Sequence, residues 1–407
     1  MQLRNLWAGI LFGAIVSALP VCAAFAGAEL KFGENAVIDL GVRLHGFYVQ
    51  TEEDTDSVSG LESVDDFRVR RARLLLNGSL SKIMAMGLQT EFADDPFVST
   101  GSAAGRLIDA YGMLTLSEQA QFMLGKHMAP GMRTQLTSAA AMMTIDRPGL
   151  AYKSITWGCR SVYGFGNAVY TDSDSGLRDE EDLRDTGITL FGTLDIPEQN
   201  NALKYYGGIY NGINAPGEDS NRFAGRVQLN MGEAEKGYFD NGTYLGKKQT
   251  IAVGYGYDTQ KAVGRDAVSG EAVDYRLYSI DFFSESPLDQ GSLTVEGGYV
   301  DLSLGGTSRA LVSGRAPASQ TEGHGVYAQA GYLQQNIQPW IGYERWNSEA
   351  DTEKGSYYVY RFGLTYYVAA HNANIKGGYE IFNAREPVGS SSDDKIKTLL
   401  VGVFINY

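Results

Sequence analysis

The feature that most constrains the fold is an alternation of apolar and polar residues that recurs along the whole chain. Leu40 and Val42 lie on one face of the segment AVIDLGVRLHGFY, and Asp39 and Arg43 lie on the other. Such runs reach about 10 to 13 residues, which matches the ~9 to 11 residues of a tilted membrane strand better than the ~5 to 6 of a soluble one. Beyond the N-terminal residues, no apolar stretch approaches the ~18 residues of a spanning helix. The pattern predicts an all-β chain that crosses a membrane with strands.

Sixteen such segments can be counted, and the connections between them alternate between short and long. Short ones include residues 81–83, and long acidic ones include residues 51–66 and 172–185, as in barrels with short periplasmic turns and long outer loops. We therefore predict one transmembrane antiparallel β-barrel of 16 strands over residues 27–407. The predicted strands are 36–50, 66–80, 84–94, 106–117, 119–128, 184–196, 201–212, 222–232, 247–258, 274–285, 291–304, 322–333, 336–347, 356–369, 371–384 and 396–407.

The connection at residues 129–183 is too long for an ordinary turn, and loops of that length are usually functional or disordered. Its stretch TSAAAMMTI is small and apolar, so we expect the loop to fold into the lumen as a constriction. Residues 161–171 also alternate. They form either a hairpin arm above the barrel or an additional spanning strand that would make the count odd.

Both ends of the chain indicate export. Arg4 precedes an apolar run that ends near Ala24-Phe25-Ala26, so residues 1–26 are predicted to be a cleaved secretory signal peptide rather than a membrane anchor. The chain stops at KTLLVGVFINY, an alternating strand that ends on an aromatic residue, as outer-membrane barrels usually do. The expected location is the outer membrane of a Gram-negative bacterium.

Composition excludes several classes of protein. The net charge of -14 argues against nucleic acid as a partner. One of the two cysteines lies in the signal segment, so no disulfide framework is expected. The four histidines have no partner that spacing can identify, so we expect no enzyme activity, no cofactor and no metal site. Acidic outer loops are interpreted as solvated charge, with divalent-cation binding left as the alternative.

Positive charge is nevertheless concentrated in the segment DFRVRRARLLLNG. If Leu74 and Leu76 face lipid, Arg71 and Arg73 face the lumen, whereas Arg68 and Arg70 have lipid-face parity near the strand end. Arginines in a pore either attract anions or pair with acids to brace the wall; for Arg71 and Arg73 we favour the first role. Parity places these cations in the lumen, the last only if its loop folds inward: Arg43, Arg71, Arg73, Arg222, Arg226, Arg361, Lys376 and Arg133. The inward acids are Asp39, Glu91, Asp109, Asp281, Glu296, Glu344 and Glu380.

Several blocks of the chain resemble the phosphate-selective porin O and P family. FRVRRARLLLNGSL is similar to its arginine-rich second strand, and LIDAYGML followed by LGKHMAPGMRTQLTS and TIDRPGLA is similar to its strand pair and constriction loop. RDTGITLFGTL, YYGGIYNGINAPGEDSNRFAGRVQLN, VYAQAGYLQQNIQPWIGYE and FGLTYYVAAHNANIKGGYE resemble later blocks in the same order. The resemblance implies a 16-stranded, trimeric porin.

The resemblance also implies an anion ladder, onto which Arg71, Arg73, Arg133 and Arg226 map. At two positions this chain lacks a cation that the family has. The family's lysine falls at Met128, with Lys126 two residues away, and the family's arginine before YE falls at Gly342.

We therefore expect passive diffusion of small hydrophilic solutes with a preference for small anions such as phosphate. The alternatives are a general, weakly selective porin and a non-conducting scaffold or adhesin barrel. Outer-membrane lipid, lipopolysaccharide and two further copies of the chain are the expected partners.

Overall fold

The computed structural model describes residues 28–32, 36–53, 64–93, 105–154, 162–163, 170–171, 184–215, 217–266, 269–305, 310–311, 322–349, 356–385 and 394–407. In these residues the dominant element is the β-strand. The helical elements there are short, comprising α1 (Arg133–Leu136) and two 3-10 turns at Gly149–Lys153 and Pro197–Gln199. No helix in the described part of the chain is long and apolar enough to cross a membrane.

Sixteen strands of the described chain form a closed antiparallel barrel, which confirms the predicted number and class. They are β2 (Ala36–Glu53), β3 (Val64–Ser79), β4 (Met84–Glu91), β5 (Arg106–Ser117), β6 (Ala120–His127), β9 (Asp185–Ile196), β10 (Asn201–Tyr210), β11 (Arg222–Gly232), β12 (Thr250–Asp266), β13 (Ala272–Leu288), β14 (Gly291–Ser303), β16 (Gly323–Leu333), β17 (Ile337–Ser348), β18 (Ser356–Ala369), β19 (Ala373–Arg385) and β20 (Asp394–Asn406). The short accessory strands are β1 (Ala28–Phe32), β7 (Val162–Tyr163), β8 (Tyr170–Thr171) and β15 (Ala310–Leu311).

The barrel closes where its first and last strands pair. β2 pairs with β20 from Arg43↔Asn406 to Glu53↔Ile396. The start of β2 lies beyond the end of β20 and is covered instead by β1, which pairs with residues 36–40. Full closure gives every spanning strand a neighbour on both sides, which a lipid environment demands of backbone N–H and C=O groups.

The short strands β7 and β8 fall within residues 161–171, which were predicted to form either a hairpin arm or an additional spanning strand. They pair with each other in a two-stranded sheet separate from the barrel, so they do not change its strand number. Strand β15 was not predicted; it extends the sheet by pairing with the end of β12, which itself runs eight residues beyond its predicted boundary at residue 258.

Side chains that alternate in polarity along the sequence alternate in the structure between the outer surface and the lumen. Large apolar side chains such as Leu74, Leu124 and Ile341 point outward and are exposed on the barrel surface. Side chains at the alternate positions of the strands point inward, and among them Arg226 and Glu344 are buried. This is the lipid-facing and lumen-facing pattern of a membrane barrel.

The lumen is filled by two chain segments. Residues 128–154, which we name the inward loop, follow β6 and are buried almost throughout. Residues 233–249, which we name the lower segment, connect β11 to β12 at the barrel end that carries the short turns, and Glu235, Tyr238 and Asp240 in it are buried. The two segments thus enter the lumen from opposite ends and meet at a parallel bridge between Thr137 and Asp240. Residues 1–27, which contain the predicted signal peptide, and most of residues 155–183 lie outside the described residues.

Candidate functional site

The space left beside the inward loop is a cavity of about 220 Å³ against the wall formed by β2 to β5. Its lining is dominated by guanidinium groups from the wall, the inward loop and the start of β9. Among the described residues Glu91 and Asp109 are the carboxylates that line it. The excess of cations gives the cavity a positive potential, which a low-dielectric surrounding strengthens. The seven arginines are Arg43, Arg70, Arg71, Arg73, Arg106, Arg147 and Arg184.

A β-bulge explains why Arg70 lies in this cavity, contrary to the lipid-face parity expected for Arg68 and Arg70. Strand pairing steps from His45↔Arg71 to Gly46↔Val69, which leaves Arg70 as an inserted residue. Because side chains alternate with period two, one inserted residue moves every later side chain to the other face. Arg70 is therefore buried and Arg68 is lumen-facing and nearly buried, while Val69 and Phe67 face outward. The parity prediction for Arg68 and Arg70 was wrong.

A second bulge does the same on β5. Pairing with β4 steps from Gln89↔Asp109 to Thr90↔Leu107, so Ile108 is inserted. As a result Arg106 joins Asp109 at the cavity although the two have opposite parity. Two local irregularities therefore add two arginines to one wall.

Carboxylates hold most of these guanidinium groups in place. Arg73 Nε donates to Glu91 Oε2 at 2.5 Å, and Arg184 Nε donates to Asp109 Oδ1 at 2.9 Å. Both acids lie on strands β4 and β5 of the cavity wall. These pairs orient the cations and neutralise part of their charge, but the arginines still outnumber the acids.

The inward loop contributes its own pair of charges at Asp146 and Arg147. Arg147 Nε donates to the backbone oxygen of Thr134 at 2.8 Å, which braces the loop internally. Burial opposes the ionisation of Asp146, but Arg71 and Arg70 outweigh it and hold the pKa of Asp146 below its ordinary value. Burial lowers the pKa of Arg147 to about 10, so Arg147 remains charged at neutral pH.

The other predicted cations lie outside this cavity, on β11, β18, β19 and the inward loop. Arg222 forms ion pairs with Asp185 and Asp258, and Arg226 pairs with Asp281 at 2.6 Å. Here each guanidinium lies beside carboxylates on neighbouring strands. The arrangement fits the bracing role that was weighed for any single lumen arginine.

Arg361 on β18 pairs with carboxylates of its two neighbouring strands, and Lys376 on β19 contacts the inward loop. Arg361 lies between Glu344 and Glu380, at 2.8 and 2.5 Å. Lys376 Nζ donates to the backbone oxygens of Met142 and Thr144, at 2.5 and 2.9 Å. The lysine thus fastens the inward loop to β19.

Arg133 joins the inward loop to the lower segment. Its guanidinium forms an ion pair with Glu235, donates to the backbone oxygen of Asn241 at 2.8 Å and stacks 3.6 Å from the ring centre of Phe283. Burial of Glu235 opposes its ionisation, but Arg133 prevails and the pKa of Glu235 falls to about 2.

Backbone contacts complete a partition across the lumen. The amide of Ser138 donates to the oxygen of Asp240 at 2.9 Å, and the amide of Asp240 donates to the oxygen of Leu136 at 3.1 Å. At the far side, His371 Nε2 lies 3.0 Å from the oxygen of Thr243. We name the inward loop together with the lower segment the septum. The septum forms the side of the cavity that faces β2 to β5, and its Gln135, Arg147 and Phe239 belong to the lining.

The structure also places the residues at the two family departures. Met128 lines the arginine cavity. Lys126 does not replace the missing lysine there, because its Nζ donates to the backbone oxygen of Leu107 at 2.8 Å. Gly342 pairs directly with Arg361 on the neighbouring strand, so a lumen arginine still lies at that level.

Sequence reasoning therefore identified Arg43, Arg71 and Arg73 in the cavity and missed four others. Arg70 and Arg106 were hidden by bulges. Arg147 lies in the quoted loop motif TIDRPGLA, and Arg184 begins a predicted strand, so both could have been considered. In the described residues no group of three or more His, Cys, Asp or Glu side chains could hold a metal ion.

A closed barrel of 16 strands with a loop inside the lumen and a charged lumen wall defines the porin class. Within that class, residues 38–175 match the family model "Phosphate-selective porin O and P", which confirms the family resemblance. The matched range contains β3, the cavity wall and the inward loop. No curated protein matches the sequence significantly.

Solved structures show the same fold at low identity. An anion-selective porin from Comamonas acidovorans is 11% identical with a TM-score of 0.57, over 91% of this chain and 100% of that one. The outer-membrane channel DcaP of Acinetobacter baumannii is 13% identical with a TM-score of 0.54, over 94% and 100%. Salmonella typhi OmpF in complex with daunomycin is 13% identical with a TM-score of 0.55, over 93% and 100%. The shared feature is the porin barrel.

Proposed function

We propose that this porin allows passive diffusion of small hydrophilic solutes across the outer membrane with a preference for anions. The observation that carries the proposal is the cavity beside the septum, where arginines outnumber carboxylates. A charged guanidinium in a narrow passage replaces part of the hydration shell of an anion and raises its local concentration.

Arg71 and Arg73 are the residues we propose as the main selective element, with Arg43, Arg70, Arg106, Arg147 and Arg184 around them. Their carboxylate partners offset the mutual repulsion of the clustered guanidinium groups and hold them in place. Phosphate is the anion suggested by the family, and inorganic phosphate is therefore the first solute to test.

Arg133, Arg222, Arg226, Arg361 and Lys376 are proposed to brace the lumen rather than to line the ion path. The alternative function, a general and weakly selective porin, is favoured by this extensive pairing of lumen charges. We further propose export through the signal peptide at residues 1–26 and assembly as a homotrimer.

The test is the reversal potential of the refolded protein in a planar bilayer under a potassium chloride gradient, followed by titration with phosphate. We expect an anion-side potential and block by phosphate. Arg71→Gln with Arg73→Gln keeps side-chain size and polarity while removing two charges, so it should move the potential toward zero. Arg276→Gln removes an exposed arginine of β13 outside the lumen and serves as the matched control.

A potential near zero in the unsubstituted protein would favour the general porin. Absence of conductance in correctly folded protein would instead support a non-conducting barrel.

A further inference from the structure

The wall of the arginine cavity differs in polarity between its two ends, because the lining residues of neighbouring strands form rows across the wall. The row nearer the long loops consists of Arg43, Arg73, Glu91 and Arg106. The row four residues closer to the short turn along β3 is uncharged across β3, β4 and β5, where it consists of Asn77, Gly87 and Tyr111. Asp39 ends this second row on β2 and lies outside the cavity lining. The positive charge of the wall is therefore concentrated near the long loops.

At the uncharged end the Tyr111 ring lies against the backbone of β4. A Cβ at Gly87 would lie only 2.5 Å from Tyr111 Cζ, so the ring occupies the space that a side chain would fill. Tyr111 also packs against a buried apolar cluster that contains Met128 and Tyr238. The Tyr238 hydroxyl donates to the backbone oxygen of Met128 at 2.5 Å, which fixes the chain where it leaves β6. Tyr111 and Met128 are thus held in place as an apolar surface of the cavity.

The septum adds apolar surface opposite this wall. Phe239 of the lower segment lines the cavity, and its ring centre lies 5.1 Å from that of Tyr238. The polar lining residue Gln135 is engaged within the loop, since its Nε2 donates to the backbone oxygen of Ala151 at 2.9 Å and its Oε1 accepts from the amide of Met132 at 3.1 Å. We name four lining residues the apolar lining: Leu75, Tyr111, Met128 and Phe239.

An anion that suits both parts of the cavity has a charged head and an apolar body. Inorganic phosphate carries oxygens on every side, and removing water from them against an apolar surface is costly. An organic carboxylate or sulfonate can place its head at the arginines and cover the apolar lining with its body, which the burial of apolar area favours. A volume of about 220 Å³ is below the ~300 to 1,000 Å³ of pockets for drug-sized ligands, so a molecule with one ring has the appropriate size.

We propose that the arginine cavity selects small organic acid anions with an apolar body, such as aromatic carboxylates and sulfonates, over inorganic phosphate. The head of such an anion lies at the row of Arg43 and Arg73, and its ring lies against the apolar lining. This inference rests on the proposed anion preference and names the class of anion. Met128 fits it, because an apolar side chain stands where the family resemblance implies a lysine.

The test compares two sulfonates that share one head group, benzenesulfonate and methanesulfonate. Both stay charged at neutral pH and so do not cross the bilayer as neutral acids. The chloride current through the refolded protein in a planar bilayer is titrated with each of them. Benzenesulfonate should halve the current at an about tenfold lower concentration, the effect of burying roughly two CH₂ groups. Inorganic phosphate should require a higher concentration than benzenesulfonate.

Two variants test the apolar lining. Phe239→Ser removes a ring from the septum side, and Leu75→Asn replaces an apolar wall side chain by a polar one of similar shape. Each should reduce the difference between the two sulfonates to about threefold or less, since less apolar area is buried. Phe32→Ser removes an exposed ring of β1 that does not belong to the lining, and it should keep the full difference.

Equal block by the two sulfonates in the unsubstituted protein would overturn the inference. An undiminished difference in both variants would overturn it as well, because the ring would then bind elsewhere. The reversal potential under a potassium chloride gradient separates this inference from the proposed function. An anion-side potential together with equal block would leave the proposed function standing, whereas a potential near zero would overturn both.

Discussion

The Arg71 guanidinium on the barrel wall lies 3.3 Å from the Asp146 carboxylate in the inward loop, measured between Nη2 and Oδ1. Arg70 contacts the other oxygen of the same carboxylate at 3.5 Å. The loop is therefore tied to the wall that carries the cavity, and one acid shares the charge of two arginines.

Replacing Asp146 with Asn removes a negative charge beside the cavity and should shift the reversal potential further toward the anion side. Loss of the ion pairs should also make the loop less firmly held, so open-channel noise should rise. Asp289→Asn, in an exposed turn, is the matched control. A shift toward zero would contradict the assigned role of Asp146.

Acid should loosen the loop only at low pH. Because the pKa of Asp146 in the folded protein lies below the ordinary value of 3.8, its contribution to stability is present above that value and is lost as pH falls through the folded pKa. Single-channel recordings should therefore be steady from neutral pH down to about pH 5 and change below about pH 4. A transition near neutral pH would mean that another group controls the loop.

Removal of the charge at Glu235 should destabilise the septum. Glu235→Gln removes the shorter of the two ion pairs of buried Arg133 and leaves the pair with Glu296 at 3.5 Å. Since complete loss of a partner from a buried pair costs about 3 to 5 kcal/mol, we expect a loss of up to that size. The free energy of unfolding can be measured by urea titration in detergent. Glu198→Gln, at an exposed turn, should be neutral. Adding Arg133→Met to the Glu235 variant should recover part of the loss; no recovery would argue against the pair.

Introducing a lysine at Met128 should strengthen anion preference. Met128 lines the arginine cavity, at the position where the family resemblance expects a lysine. Met128→Lys should increase the anion-side reversal potential and lower the phosphate concentration needed for block. Met128→Leu tests the effect of altered packing alone. Equal behaviour of the two variants would mean that position 128 does not face the ion path.

The wall beneath Trp340 should tolerate no added methyl group at Gly363. A Cβ there would lie 2.3 Å from Trp340 Cζ2 and 2.4 Å from the backbone oxygen of Gly377. Gly363→Ala should therefore lower the free energy of unfolding by about 1 to 3 kcal/mol. Gly207→Ala provides the control, because no atom lies within 4 Å of its added Cβ. Equal stability of the two variants would show that Trp340 can move aside.

Most of the barrel could be predicted because each strand carries its own signal. The segment from Leu40 to Leu44 alternates between apolar and polar side chains, and lipid on one side with a charged lumen on the other demands that alternation. Strand β15 and the long end of β12 were missed, because their residues lie beyond the membrane, where a strand does not need to alternate between apolar and polar side chains.

The candidate site could be predicted only in part. Arg71 and Arg73 follow from parity counted back from Leu74, but Arg222 and Arg361 also have lumen-facing parity and lie among carboxylates outside the cavity. Parity states which face a side chain occupies, and it carries no information about the acids that lie opposite.

By itself the sequence determined the all-β class, the sixteen strands, the inward or outward direction of most side chains and the resemblance to a porin family. Only the tertiary structure decided where the positive charge collects. The bulges at Arg70 and Ile108 reverse the faces of neighbouring residues, and a bulge depends on how two strands are paired rather than on either strand alone. The septum likewise arises from residues 128–154 and 233–249, which are far apart in sequence, and it places Asp146 and Arg147 beside the arginine wall.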